Sequence, residues 1–478
     1  MPLSQLANGE TGLVIRNKIN AAITAVDYET SANPLQRLKR AIAANNNNRF
    51  NQLPWMPPAS HAVSTAYVTG QRVVSSGNIY LCDAGGTTGA SSPPTVTTPS
   101  QITDGTVKWF YIGPTYSADP NAPSLSIGSS APSLGRFYRN ATGSFSSGAA
   151  TVISNDAWFN YYGSLAAPDS NGFGNFTLGL SSTLEFMSDD TAICIVQNAA
   201  SGPYGPTIEV DGRYLQDTKL AIGSSGQTYY SITFSSKKPR RITVRWPSNS
   251  VSTSIRGVYC SATGTIWSPP KKDGALRGYI FGDSFLAHTN NGETFDHGIG
   301  QTMAGYIGCD DIYLDAFGGT GFAAGGTSSY TSTSRLANMA TYAPNWVIAM
   351  CSVNDLPSSQ SSMNTAFDTW YSAVRAQIGP AGLITVIGEM TRASAETVAE
   401  SYIRLRIASK NDPNMLFIPA SGDAGGPWGT GTGYSGSTTG IGNGDWYWSS
   451  DSLHPNGRGT DYLGSRAGLG LRKIVSAL

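Results

Sequence analysis

The alternation of apolar and polar positions divides the chain into three regimes. Between residues 66 and 113 the short runs AYVTGQRVV, NIYLC and TVKWFYIG are parted by Gly-, Thr- and Pro-rich turns, which predicts a small all-β module. Between about 135 and 267 the β pattern continues in TLEFMS, TAICIVQ, PTIEV, YYSITF, RITVRW and IRGVYC, spaced by Asp-Gly, Asn and Ser-rich turns. Six or more short strands at that spacing predict a β-sandwich of jelly-roll type. After Ala275 the period changes, and apolar runs alternate with amphipathic helical stretches: GYIFGDS then 293–307, NWVIAMCS then 363–378, LITVIGEM then 395–409, MLFIPA then 457–478. Buried strands alternating with helices predict a parallel sheet covered on both faces, a three-layer α/β/α domain.

Before these regimes, the polar opening and a helix-compatible stretch at 35–44 read as a connector without a core of its own. The proline-rich segment SPPKKDG at 268–274 reads as a linker. The expected organisation is therefore multidomain: a connector over 1–58, a small β module over 59–118, a β-sandwich over 119–270 and a self-contained α/β/α unit over 271–478.

Composition narrows the partners. Of 478 residues 55 are Gly, only 13% are charged and 10% are aromatic, which suits turn-rich β modules. Lys plus Arg and Asp plus Glu balance at 31 each, so no net field draws the chain to nucleic acid or to a membrane, and a neutral partner such as a glycan fits better. The basic cluster 237–241 reads as a solvated hairpin loop. Five cysteines, none in a Cys-x-x-Cys spacing, read as small buried residues in a reducing compartment. The first 20 residues lack the apolar core of a signal peptide, so export by another route is expected.

The candidate chemistry lies where apolar runs end. Phe281-Gly282-Asp283-Ser284 closes the first run of the last regime and places a serine at the start of the following segment, where a nucleophile is well positioned. A serine needs a base, and the chain has 4 histidines, His61, His288, His297 and His454. His454 stands in Asp451-Ser452-Leu453-His454, a spacing that lets the carboxylate fold back and orient the imidazole. Phe317-Gly318-Gly319-Thr320 and Ser352-Val353-Asn354-Asp355 offer donors for an oxyanion, with the Ser284 N–H as a third. The aromatic loop 421–450 runs into Asp451, and Trp446 and Trp448 are expected to line a glycan cleft. No metal or cofactor site is visible, and metal-independent chemistry is expected.

Ser after strand one, Gly after strand two, Asn after strand three and Asp-x-x-His before the last helix resemble the block order of the SGNH (GDSL-type) hydrolase family, over roughly 275–478. The resemblance implies a serine esterase with Ser284 as nucleophile, Gly319 and Asn354 as oxyanion-hole donors beside the Ser284 N–H, and His454 and Asp451 as base and orienting acid. Whether Gly318 or Gly319 serves the oxyanion stays open. Phe285 replaces the usual Leu and Ser352 the usual Gly; neither is expected to contribute chemistry directly.

The opening NGETGLVIRNKINAAI and the segment from Tyr67 to Gly113 are similar to parts of bacteriophage tail fibres and tailspikes, and the latter is similar, more distantly, to chitin-binding-type modules; the resemblance implies a virion-attachment role for 1–58 and a carbohydrate-binding-like module over 59–118. A jelly roll ahead of an SGNH domain is similar to the arrangement in carbohydrate esterases that deacetylate polysaccharides. Together these imply a homotrimeric virion protein, in contact with other tail or baseplate proteins, that removes O-acetyl groups from a bacterial surface polysaccharide. A non-catalytic glycan-binding adhesin and a lipase or thioesterase remain as alternatives.

Overall fold

The computed structural model describes residues 53–477 except 68–70, 91–92, 98–100, 146–148, 166–167, 169, 171, 174–182, 199–204, 217–219, 221–225, 246–253, 270–275, 288–297, 393–395 and 422–426, and before them residues 35, 38, 39, 41 and 42. Its C-terminal part is built on five parallel strands: β1 Arg277–Gly282, β2 Asp311–Ala316, β3 Trp346–Met350, β4 Leu383–Ile387 and β5 Met415–Ile418. Their order across the sheet is β2-β1-β3-β4-β5. Strand residues point alternately to two faces, and both faces are buried. Ile280, Leu314, Ile348 and Ile387 meet helices α1 (Ile299–Ile307) and α6 (Gly457–Ala477) on one side. Tyr279, Phe281, Val347 and Val386 meet α2 (Thr333–Tyr342), α3 (Gln360–Ile378) and α4 (Val398–Lys410) on the other. A short helix, α5 (Gly444–Tyr447), lies in the long loop before α6.

This order reverses direction between β1 and β3, and a crevice opens beyond the carboxyl ends of strands at such a switch point. Ser284 follows β1 and Asn354 follows β3, so the fold brings these two loops side by side.

Upstream, a four-stranded antiparallel sheet pairs Arg72–Ser75, Asn78–Ala84, Val107–Pro114 and Gln101–Asp104 in that order, over a small core of Val73, Tyr80, Cys82, Val107 and Trp109. Two further sheets of six strands each face one another across a shared core that includes Leu184, Phe186, Ile193, Ile195, Ile242 and Val258. The chain passes from one of these sheets to the other at most of its connections.

That crossing corrects the reading of the basic cluster. Gln227–Thr233 and Arg240–Arg245 belong to opposite sheets and form no hairpin. Arg240 is buried, with its guanidinium 4.1 Å from the Phe234 ring centroid and donating to Ser236 O and Lys238 O. Arg241 pairs with buried Glu185.

The connector is also more than a tether. Leu38 is fully buried in the core on the α1/α6 side of the parallel sheet, with Leu35, Ala41 and Ile42 packed against it. The expected separation at 268–274 is bridged as well: Arg245 Nη2 donates to Asp310 Oδ1 at 2.9 Å and Gly163 N to Asp311 Oδ1 at 3.3 Å. All five cysteines are buried and free, as expected of small core residues.

Candidate active site

Gly282 ends β1, and the Asp283-Ser284 turn places the Ser284 side chain at the crevice, 7% exposed. His454 arrives from the loop before α6, and its Nε2 lies 2.8 Å from Ser284 Oγ. His454 Nδ1 is 2.5 Å from Asp451 Oδ2. The Asp-x-x-His spacing closes on itself because Ser452 adopts a left-handed backbone, φ 59°, while Asp451 Oδ1 accepts the N–H groups of Leu453 and His454 and the Ser449 hydroxyl. The carboxylate is thereby saturated and aimed at the ring, which orients the imidazole with Nε2 toward the serine.

The two glycines differ. A Cβ on Gly318 would sit 3.8 Å from the Ser284 Cβ, so Gly318 is the one packed against the serine. Gly319 has φ 74°, a conformation that favours glycine, and open space where a Cβ would be. Asn354 is drawn into the same crevice, with Nδ2 donating to Thr320 O at 3.1 Å and to Ser352 Oγ at 2.9 Å.

Three residues central to this geometry went unassigned in the sequence. Ser352, expected to be inert, is a hub: its hydroxyl proton is shared between Asp283 Oδ2 at 2.5 Å and Thr320 O at 2.8 Å, while its Oγ accepts from Asn354 N and Nδ2. Asp355 is fully buried and accepts the N–H groups of Phe322, Ala323 and Ala324, which orders the loop after the glycines. Arg335, 1% exposed, gives all five guanidinium donors to Asp315 Oδ2, Asp315 O, Gly282 O, Thr320 Oγ1 and Ser328 O. It ties the ends of β1 and β2 to the glycine loop. The departure from the expected Gly at 352 was a signal for the first; a lone Arg in a helix and an Asn-Asp turn gave none for the others.

Burial sets the electrostatics. Desolvation raises the pKa of Asp283 and of Asp355 above the ordinary carboxylate range, against the hydrogen bonds that oppose it. Glu389, just beyond β4 and 1% exposed, is pushed up to about 7, first by burial and then by the nearby Glu400, Asp355 and Asp283. It lines, with Asp283, Phe285, Met350, Val353 and Met390, a small void next to the two residues that flank Ser284 in the chain.

The two tryptophans of the aromatic loop differ, and only the expectation for Trp448 is overturned. Trp448 is 1% exposed and belongs to the core on the α1/α6 side of the sheet, so its ring offers no face to a ligand. Trp446 packs edge-on against Phe110 of the four-stranded sheet at 4.7 Å between ring centroids. The large apolar side chains left exposed near the site are instead Phe317, Leu356 and Leu453, each within two positions of Gly318, Asn354 or His454.

His61 is buried against Asp104 in the four-stranded sheet unit, at 2.7 Å, and the positions of His288 and His297 lie outside the described residues. Among the described residues no cluster of three or more His, Cys, Asp or Glu could hold a metal ion, and no helix is long and apolar enough to cross a membrane.

No protein-family profile and no curated protein sequence matches the chain. Solved structures similar to it include a family two carbohydrate esterase from Cellvibrio japonicus, with a TM-score of 0.47 and 11% identity over 74% of this chain and 99% of that one. Another from Clostridium thermocellum, in complex with cellohexaose, has a TM-score of 0.46 and 17% identity over 67% and 100%. The salicylyl-acyltransferase SsfX3 of a tetracycline biosynthetic pathway has a TM-score of 0.47 and 11% identity over 67% and 96%. The structural neighbours thus include carbohydrate esterases, an acyltransferase and a putative GDSL-like lipase from Bacteroides ovatus; at this level of likeness the chemistry of the chain is argued from its own geometry.

Proposed function

We propose that the protein is a serine esterase that removes O-acetyl groups from a bacterial surface polysaccharide. The observation that carries this reading is the continuous relay Ser284 Oγ, His454 Nε2 at 2.8 Å, His454 Nδ1 and Asp451 Oδ2 at 2.5 Å. In it His454 takes the Ser284 proton as Oγ bonds to the acetyl carbon, and Asp451 holds the resulting imidazolium. The tetrahedral oxyanion is met by the Ser284 N–H, the Gly319 or Gly318 N–H, and Asn354. Collapse breaks the carbon–oxygen bond to the sugar, whose alkoxide receives the proton from His454. Water, deprotonated by the same imidazole, then attacks acetyl-Ser284 and releases acetate with the serine restored.

Asn354 has a second duty in this scheme, since its N–H groups already serve Thr320 and Ser352. A bond to the oxyanion must be shared with one of these.

An exposed Phe317 beside the glycine loop would give a sugar ring a stacking face in place of the buried Trp448. A non-catalytic adhesin would have no use for a closed Ser-His-Asp relay.

The setting we propose is a phage tailspike: a homotrimer carried on the virion and joined to tail or baseplate proteins through its N-terminal segment. This rests on the sequence resemblance of the N-terminal regions and on the balanced charge. The test is incubation with acetylated capsule and O-antigen preparations, following free acetate by NMR. Acetate release that a long-chain ester cannot outcompete supports the reading; binding without release favours the adhesin, and a preference for long acyl chains the lipase.

A further inference from the structure

The four-stranded sheet meets the catalytic unit beside the histidine loop. Asp83, on the strand Asn78–Ala84, has a side chain only 4% exposed. Its Oδ1 accepts from Arg458 Nη2 at 2.5 Å and from Ser435 Oγ at 2.9 Å, and its Oδ2 from Gln101 Nε2 at 2.6 Å. Phe110, on the neighbouring strand Val107–Pro114, receives the Arg458 guanidinium over its face at 4.3 Å and touches Trp446.

Ser435 and Arg458 stand on the two sides of the loop that carries the relay. Ser435 N donates to Trp448 O at 2.9 Å, one residue before Ser449, whose hydroxyl holds Asp451. Arg458 lies in the first turn of α6, four positions after His454. Between them Asn456 donates to Trp446 O at 2.9 Å. The hydrogen bonds within the loop fix Asp451 relative to His454, but they do not fix the loop relative to Ser284, which belongs to a different part of the sheet.

We propose that Asp83 is a positioning residue of the esterase: by gathering Ser435 and Arg458 onto one carboxylate, it sets the distance from His454 to Ser284, and the four-stranded sheet becomes a working part of the active site. This rests on the esterase reading above. A carboxylate taken out of water holds its partners tightly because loosening either leaves a buried charge unpaired. The consequence for rate is steep, since a misplacement of about 1 Å at reacting groups costs on the order of 100-fold.

The experiment measures kcat and KM of the full chain on a small aryl acetate, per folded molecule, for Asp83→Ala, Asp83→Asn and Ser435→Ala. Lys108→Ala, a half-buried position on the same sheet, is the control, and Ser284→Ala the reference for the esterase reading. Asp83→Ala is expected to lower kcat by about 10- to 100-fold with KM within about twofold, because the small ester needs only the relay. Asp83→Asn, which keeps an acceptor for both partners but leaves the Arg458 guanidinium without its counter-charge, should recover only part of that loss, and Ser435→Ala should lower kcat by less than Asp83→Ala. Unchanged kcat in Asp83→Ala, with Ser284→Ala inactive, overturns the positioning role and leaves the esterase standing. If Asp83→Ala does not fold, unchanged kcat in both Asp83→Asn and Ser435→Ala overturns it. Retained activity in Ser284→Ala overturns the esterase reading itself.

Discussion

The hydroxyl of Ser352 donates to the buried carboxylate of Asp283 at 2.5 Å, joining the loop after β3 to the residue that precedes the nucleophile. Through the same oxygen Ser352 receives both the backbone and the side-chain N–H of Asn354. One hydroxyl thus sets the nucleophile turn and the oxyanion loop against each other.

Ser352→Ala is therefore expected to lower kcat on an aryl acetate by about tenfold while KM changes little, since the displaced donor acts mainly in the transition state. It should also cost about 1–3 kcal/mol of stability, because Asp283 Oδ2 loses its short bond from the hydroxyl and keeps only the 3.5 Å contact from Asn354 Nδ2. Steady-state kinetics and denaturant unfolding check the two parts.

Arg335→Met should be among the most damaging changes away from the relay. Removing the guanidinium leaves Asp315 charged and unpaired in the core and frees the ends of β1 and β2, a loss of about 3–5 kcal/mol. Arg335→Lys keeps the charge but replaces a fork of five donors by three, and should restore only part of that stability.

These residues show what the sequence could and could not convey. The parallel sheet was legible because WVIAM and LITVI are buried on both faces and so read as unbroken apolar runs. Ser284, His454 and Asp451 were legible because few histidines compete and the aspartate is near in sequence. Arg335, Ser352 and Asp355 were not, since each acts on at least one group 20 or more positions away that only the fold brings close. Trp448 was misread for a related reason: a tryptophan in a loop looks the same whether it faces a ligand or fills a core. The strand DIYLDA of β2, diluted by two aspartates, was placed only by the glycines after it.

Stability should depend on pH through Glu389. Its pKa in the folded protein is pushed up to about 7, above the ordinary glutamate value of 4.5, so the folded state holds a proton that the unfolded state has released. The stabilisation is complete below the unfolded value and is lost as pH rises toward and through 7, by about 3 kcal/mol. Glu389→Gln should flatten this fall; parallel pH profiles of unfolding for the two proteins would remove Glu389 as its source.

Substrate contact should follow exposure. Phe317→Ala is expected to raise KM for an acetylated polysaccharide several-fold and to leave kcat on a small aryl acetate nearly unchanged. Trp448→Ala should instead destabilise the fold by about 3–5 kcal/mol, as an emptied core tryptophan does. A selective effect of Trp448 on polymer affinity, in a protein of unchanged stability, would restore it to the cleft.

The relay from Ser284 to Asp451 is tested most directly by trapping its covalent intermediate. The full chain is mixed with an aryl acetate, quenched in acid within the first turnovers and mapped by peptide mass spectrometry, beside Ser284→Ala. An acetyl group on Ser284, absent from the variant, together with turnover reduced by at least about 10⁴-fold in the variant, is the expected result. Acetyl on another residue, or comparable turnover without Ser284, would contradict it.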